Sequence, residues 1–129
     1  MRKVLIVEPN AADARVLRDT LREAGLGNAS TVLRDAIAAK RHLAERDHDA
    51  IMLLNIHASD DGLEFLAWLR QQSFFNDLFI IAVGERGHLR GVVQACEGGA
   101  QTFVIKPVHV EDLKTVARMY PDQWDRPRE

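Results

Sequence analysis

The 129-residue chain has one cysteine, Cys96, so no disulfide can close within it and no cysteine cluster can hold a metal. A lone thiol fits a protein of the reducing cytoplasm. No apolar run approaches the roughly 20 residues that a membrane-spanning helix needs. Met1-Arg2-Lys3 followed by Val4 to Val7 begins like a secretory leader, but the apolar run ends at Glu8-Pro9 and reads as a strand. Charge of one sign is not concentrated either: 17 Lys and Arg face 19 Asp and Glu, for a net charge of -2, which argues against binding nucleic acid or an anionic membrane by bulk charge. Internal repeats and low-complexity tracts are absent. What the chain does have is 47% hydrophobic residues, enough for one core in a single domain.

Those residues fall into short strands alternating with amphipathic helices. Val4 to Val7 is a continuous aliphatic run, as expected of a strand buried on both faces. Asn10 can cap a helix that carries Ala14, Leu17, Leu21 and Ala24 on one stripe and stops at Gly25. A strand at Ser30 to Leu33, a helix at Asp35 to Glu45 and a strand at Ala50 to Leu54 follow. A loop then leads into a helix from Gly62 to Gln71 with Phe65, Leu66 and Leu69 inward. Leu78 to Val83 is the fourth strand, and the next helix sets Leu89, Val92, Val93 and Cys96 at helical spacing. Thr102 to Ile105 is the fifth strand and Glu111 to Met119 the fifth helix.

Such alternation predicts an α/β protein: a flavodoxin-like, doubly wound, five-stranded parallel sheet of order 2-1-3-4-5 with five flanking helices. The domain spans residues 1–119. Residues 120–129, polar and broken by prolines, read as a tail or the start of a linker. In this fold the functional crevice lies at the carboxyl ends of the strands, here Glu8-Pro9, Leu54-Asn55, Gly84-Glu85 and Lys106-Pro107.

The order and spacing of Lys3-Val-Leu-Ile-Val-Glu8, Asp49-Ala-Ile-Met-Leu-Leu54, Asp61-Gly62-Leu-Glu-Phe-Leu66, Gly99-Ala-Gln-Thr-Phe-Val-Ile-Lys106-Pro107 and Glu111-Asp-Leu113 resemble the receiver domain of two-component response regulators over residues 3–118. The resemblance implies a site with an acidic pair holding Mg²⁺ after the first strand, a phosphoacceptor aspartate after the third, a hydroxyl after the fourth and a lysine before a proline after the fifth. Carboxylates suit the hard metal, and metal and lysine neutralise the phosphoryl oxygens.

This sequence departs from that pattern. The acidic pair is Glu8-Pro9, so Mg²⁺ binding is expected to be weak or absent. The hydroxyl position falls on Gly84. Counting eight residues back from Gly62 puts Leu54 at the acceptor position, the preferred register because it needs no gap; shortening the loop by one residue puts Asn55 there instead. Neither can form an acyl phosphate. Lys106, Pro107 and the switch aromatic Phe103 are retained, the Lys106-Pro107 bond is expected to be cis, and Lys106 is expected to turn to Glu8.

The expectation is therefore a non-catalytic, non-phosphorylatable receiver with no resident metal or cofactor. It would bind a partner signalling protein or a second copy through its fourth helix, fifth strand and fifth helix. The alternative is a small-ligand or anion sensor using Gly84, Arg86 and Lys106. Of the remaining candidates, His57, Asp60 and Asp61 read as a solvated loop rather than a metal site, and Cys96 as a buried small hydrophobe. Phe74, Phe75 and Trp68 could either cover the edge of the core or form a contact patch, and Tyr120 and Trp124 raise the same question.

Overall fold

A computed structural model describes residues 2–26, 29–56 and 61–124. The strands are β1 (Val4–Val7), β2 (Ser30–Leu33), β3 (Ile51–Asn55), β4 (Phe79–Glu85) and β5 (Thr102–Lys106). They form one parallel sheet of order β2-β1-β3-β4-β5. The helices are α1 (Ala11–Glu23), α2 (Ala36–Glu45), α3 (Asp61–Arg70), α4 (Leu89–Glu97), α5 (Val110–Met119) and a short sixth, α6 (Pro121–Trp124). A 3-10 turn, Ser73–Phe75, separates α3 from β4.

Because successive side chains of a strand point to opposite faces, the continuous apolar strands feed two separate cores. Leu5, Val7, Met52, Leu54, Ile80 and Ala82 pack under α2, α3 and α4, whose buried residues include Ala39, Leu43, Phe65, Leu66, Leu69, Val92 and Ala95. Val4, Ile6, Ile51, Leu53, Ile81 and Val83 pack under α1 and α5 with Leu17, Leu21, Leu113 and Val116. Polar caps set where the first two helices start. Asn10 accepts from the Asp13 amide at 2.9 Å, and Asp35 accepts from the Ala38 amide at 2.8 Å.

Two expectations are corrected. Residues 120–124 are not a tail or linker: Trp124 is 2% exposed within the α1/α5 core, and Tyr120 lies tilted against Phe79 with ring centroids 4.9 Å apart. Burying these two rings outweighs the polar character of their neighbours. Residues 125–129 lie outside the described residues. Cys96 is exposed, as are Leu89 and Val93, because α4 meets the sheet only through the narrow stripe of Val92 and Ala95.

That close approach depends on Gly84. A Cβ there would sit 2.4 Å from Val92 Cγ2. Gly62 serves the same purpose at the start of α3, where a Cβ would fall 2.4 Å from the Asn55 carbonyl oxygen.

Candidate functional site

The carboxyl rim gathers the predicted residues around one buried carboxylate. Glu8 follows β1, its backbone amide bonds the Leu33 carbonyl, and its side chain is almost wholly covered. Its Oε1 accepts from Lys106 Nζ at 2.7 Å and from Asn55 Nδ2 at 2.7 Å, while its Oε2 accepts from the Asn10 amide at 3.1 Å. The expected Lys106 to Glu8 pair is thus present, and the Lys106-Pro107 bond is cis.

A second anion was missed in the sequence. Asp13, in the first turn of α1, places Oδ2 2.9 Å from Lys106 Nζ. Its signal was available: Asn10 caps the helix, so the residue three positions later lies in the turn that faces back over the sheet rim. Lys106 is therefore held between two carboxylates. Burial alone would lower its pKa, but the hydrogen bonds to Asp13 and Glu8 and their charges prevail and raise it above the ordinary lysine value.

Of the two residues weighed for the acceptor position, Asn55 enters this cluster and Leu54 does not. Alternation along β3 decides it. Ile51 and Leu53 face the α1/α5 core and Asn55 shares their parity, whereas Leu54 lies in the opposite core with Met52. Asn55, the second of the two registers, is thus the residue on the Glu8 and Lys106 side of β3. A gap-free count across a loop carries no information about which face of the strand a residue occupies. Since a carboxylate only accepts, Asn55 must turn its NH2 toward Glu8.

Pro9 is exposed and contributes no donor or acceptor side chain. Gly84 lies within β4 opposite Ile105, and Val92 covers the place its side chain would take. Phe103, 47% exposed on β5, faces outward and lines an apolar groove of about 510 Å³ with Leu89, Val92, Val93, Cys96 and Glu97.

A larger cleft of about 650 Å³ lies beside Lys106, between α1 and the loops after β4 and β5, and includes Asp13, Val16, Arg86, His88 and Pro107. His57, Asp60 and the side chain of Asp61 lie outside the described residues. Among the described residues no group of three or more His, Cys, Asp or Glu side chains converges in a way that could hold a metal, and no helix is long and apolar enough to cross a membrane.

Comparison with known proteins agrees with this architecture. The response regulator receiver domain pattern matches residues 4–118. The chain is 26% identical over 120 residues to the polar-differentiation response regulator DivK of Brucella ovis, covering 92% of this chain and 95% of that protein. It is 27% identical over 118 residues to the transcriptional regulatory protein KdpE of Staphylococcus aureus, covering 91% of this chain and 48% of that one.

Among solved structures, the signal receiver domain of a signal transduction histidine kinase from Syntrophus aciditrophicus superposes with a TM-score of 0.80 at 24% identity, covering all of this chain and 96% of that one. A sensor protein from Polaromonas gives 0.76 at 25% identity, covering 95% and 98%. The five-stranded sheet, its order and the family pattern over nearly the whole domain agree, and the chain belongs to the response regulator receiver domain family, the signalling modules of two-component systems.

Proposed function

We propose that this receiver takes no part in phosphotransfer and signals by binding other proteins, as a non-enzymatic cytoplasmic component of a two-component or phosphorelay pathway. The observation that carries this reading is the closed network of Glu8, Asn55, Lys106 and Asp13. Asn55 stands where the family has its phosphoacceptor, and an amide has no oxygen nucleophile able to give an acyl phosphate. Both Glu8 oxygens already accept from protein donors, Pro9 offers no ligand, and Lys106 is neutralised from two sides. A hard divalent cation needs several free oxygen ligands, and this donor set does not fit Mg²⁺.

The binding surface in this reading is the α4, β5 and α5 face. Leu89, Val93, Cys96, Phe103 and Met119 leave apolar surface exposed along it, and a partner signalling protein or a second copy of the chain could cover it. The test is intact mass after incubation with acetyl phosphate and Mg²⁺. An unmodified chain is expected, both for the native sequence and for Asn55→Asp, because Pro9 and Gly84 remain. A stoichiometric phosphoryl adduct on the native chain overturns the reading.

The alternative, a small-ligand or anion sensor, finds a cleft of adequate size beside Lys106. Of the residues first considered for it, however, Lys106 is engaged by two carboxylates and Gly84 is covered by Val92, which leaves Arg86.

A further inference from the structure

Phe103 leaves nearly half of its surface in water although its strand lies against a core, and the cause is the helix above it. Along β5, Val104 belongs to the α1/α5 core, so Phe103 and Ile105 share the opposite side of the sheet, the side that α4 covers. Ile105 packs against the core there, whereas Phe103 is 47% exposed. In the sheet Phe103 lies beside Ala82, and Ile105 beside Gly84. One of these β4 neighbours carries a methyl group and the other no side chain, so the sheet has a hollow that either the Phe103 ring or a side chain of α4 can fill.

Helix α4 fills it. A Cβ on Gly84 would overlap Val92 Cγ2, and Ala95 is fully buried in the same core as Ala82. The helix is seated on either side of that contact. A Cβ on Gly91 would lie 3.7 Å from the Ile56 carbonyl oxygen, and one on Gly98, which caps the helix, 3.6 Å from Leu66 Cδ2. Val92 therefore serves two places at once. It covers Gly84, and with Leu89, Val93, Cys96, Glu97 and Phe103 it lines the apolar groove of about 510 Å³. It stands between the aromatic ring and the hollow, and a close-packed interior has room for one of them only.

We propose that Val92 is a wedge that holds Phe103 outward and keeps the α4–β5 groove in one open form, which makes this face a constitutive docking surface rather than a switched one. The proposal rests on the reading of the α4, β5 and α5 face as the binding surface, and adds that the form of that face is independent of events at the carboxyl rim. Gly84 is the β4 residue between the rim and α4, and it has no side chain with which to pass a change near Lys106 on to the helix.

The test labels the full chain with para-fluorophenylalanine and assigns the fluorine resonances of its five phenylalanines by substitution. Phe103 is expected to give one resonance with flat relaxation dispersion on the microsecond to millisecond timescale. Its broadening by a soluble paramagnetic agent should resemble that of exposed Phe74 rather than that of buried Phe65 and Phe79. Perturbing the rim, by Asp13→Asn or by acetyl phosphate with Mg²⁺, should leave both readings unchanged. Val92→Ala vacates the hollow, so the broadening of Phe103 should fall toward that of Phe79 and exchange dispersion should appear, whereas Val92→Ile keeps the wedge and the native readings.

The proposal is overturned if Phe103 of the native chain shows exchange or is shielded from the paramagnetic agent, if perturbing the rim moves the ring, or if Val92→Ala leaves it as exposed as before. The native-chain dispersion decides the matter should Val92→Ala fail to fold. A phosphoryl adduct with an unmoved Phe103 would overturn the absence of phosphotransfer and leave the wedge standing, so the two failures are told apart.

Discussion

The two rims of the sheet both hold a buried or half-buried cation, but they satisfy it in opposite ways. At the carboxyl rim Lys106 meets two carboxylates, and charge answers charge. At the amino rim Arg2 and Arg70 spread their fork of donors over neutral oxygens. Arg2 bonds the Asp49, Ala50 and Asp77 carbonyls and reaches the side-chain oxygen of Gln123. Arg70 bonds the carbonyls of Gly99 at 3.1 Å, Phe75 at 3.2 Å and Leu78 at 3.1 Å, and Gln101 Oε1 at 3.0 Å. A guanidinium with five fixed donors can tie several chain segments together, which a lysine cannot do. The amino rim is thus a structural clamp, and the carboxyl rim is a site whose parts are matched in charge.

The largest effect should come from the clamp. Arg2→Ala strands the Asp49 and Asp77 carbonyls, each costing about 1–3 kcal/mol when buried without a partner, so a loss of about 4 kcal/mol is expected in denaturant unfolding. Lys106→Met leaves Glu8 charged and covered, with only two neutral donors. Breaking a buried pair costs about 3–5 kcal/mol, but solvent reaches Lys106 and Asp13, so about 2 kcal/mol is expected. Were Lys106→Met to cost more than Arg2→Ala, the contrast between the rims would be reversed.

Gly84→Thr supplies the missing hydroxyl but drives Cβ into Val92, and overpacking of this kind costs about 1–3 kcal/mol. Adding Val92→Ala should recover most of that loss, giving a favourable coupling in a double-mutant cycle. The Lys106 pKa is raised in the folded state, so its contribution to stability is fully present below the ordinary lysine value of about 10.4 and lost as pH rises through the folded value. The alkaline limb of a melting-temperature profile should therefore be steeper for the native chain than for Lys106→Met. Smallest of all, Phe103→Ser should shift stability by no more than about 0.5 kcal/mol yet reduce any self-association seen by sedimentation.

The fold was legible because β1, β3 and β4 are near-continuous apolar runs and the five longer helices carry apolar stripes, and these two patterns leave little choice of topology. Single residues were harder where a pattern is ambiguous by one step. Leu54 and Asn55 differ by one position, which in a strand means opposite faces, and only the parity of Ile51 and Leu53 separates them. The stripe expected on α4 was Leu89, Val92, Val93 and Cys96. Packing buries Val92, which lies over Gly84, together with Ala95, and leaves Leu89, Val93 and Cys96 outside. Trp124 reaches the α1/α5 core across a large sequence separation, and no local periodicity announces such a contact.

The side-chain hydrogen bond from Arg2 to Gln123 spans 121 positions of sequence. In chain-path terms the domain is a ring with one nick. A permuted chain, joined near these two residues and opened instead in the turn at Gly87, where a Cβ would meet nothing within 4 Å, would keep every strand pairing and both cores. What would change is the order in which the strands are synthesised and meet, so the route to the fold can be altered while its destination is held.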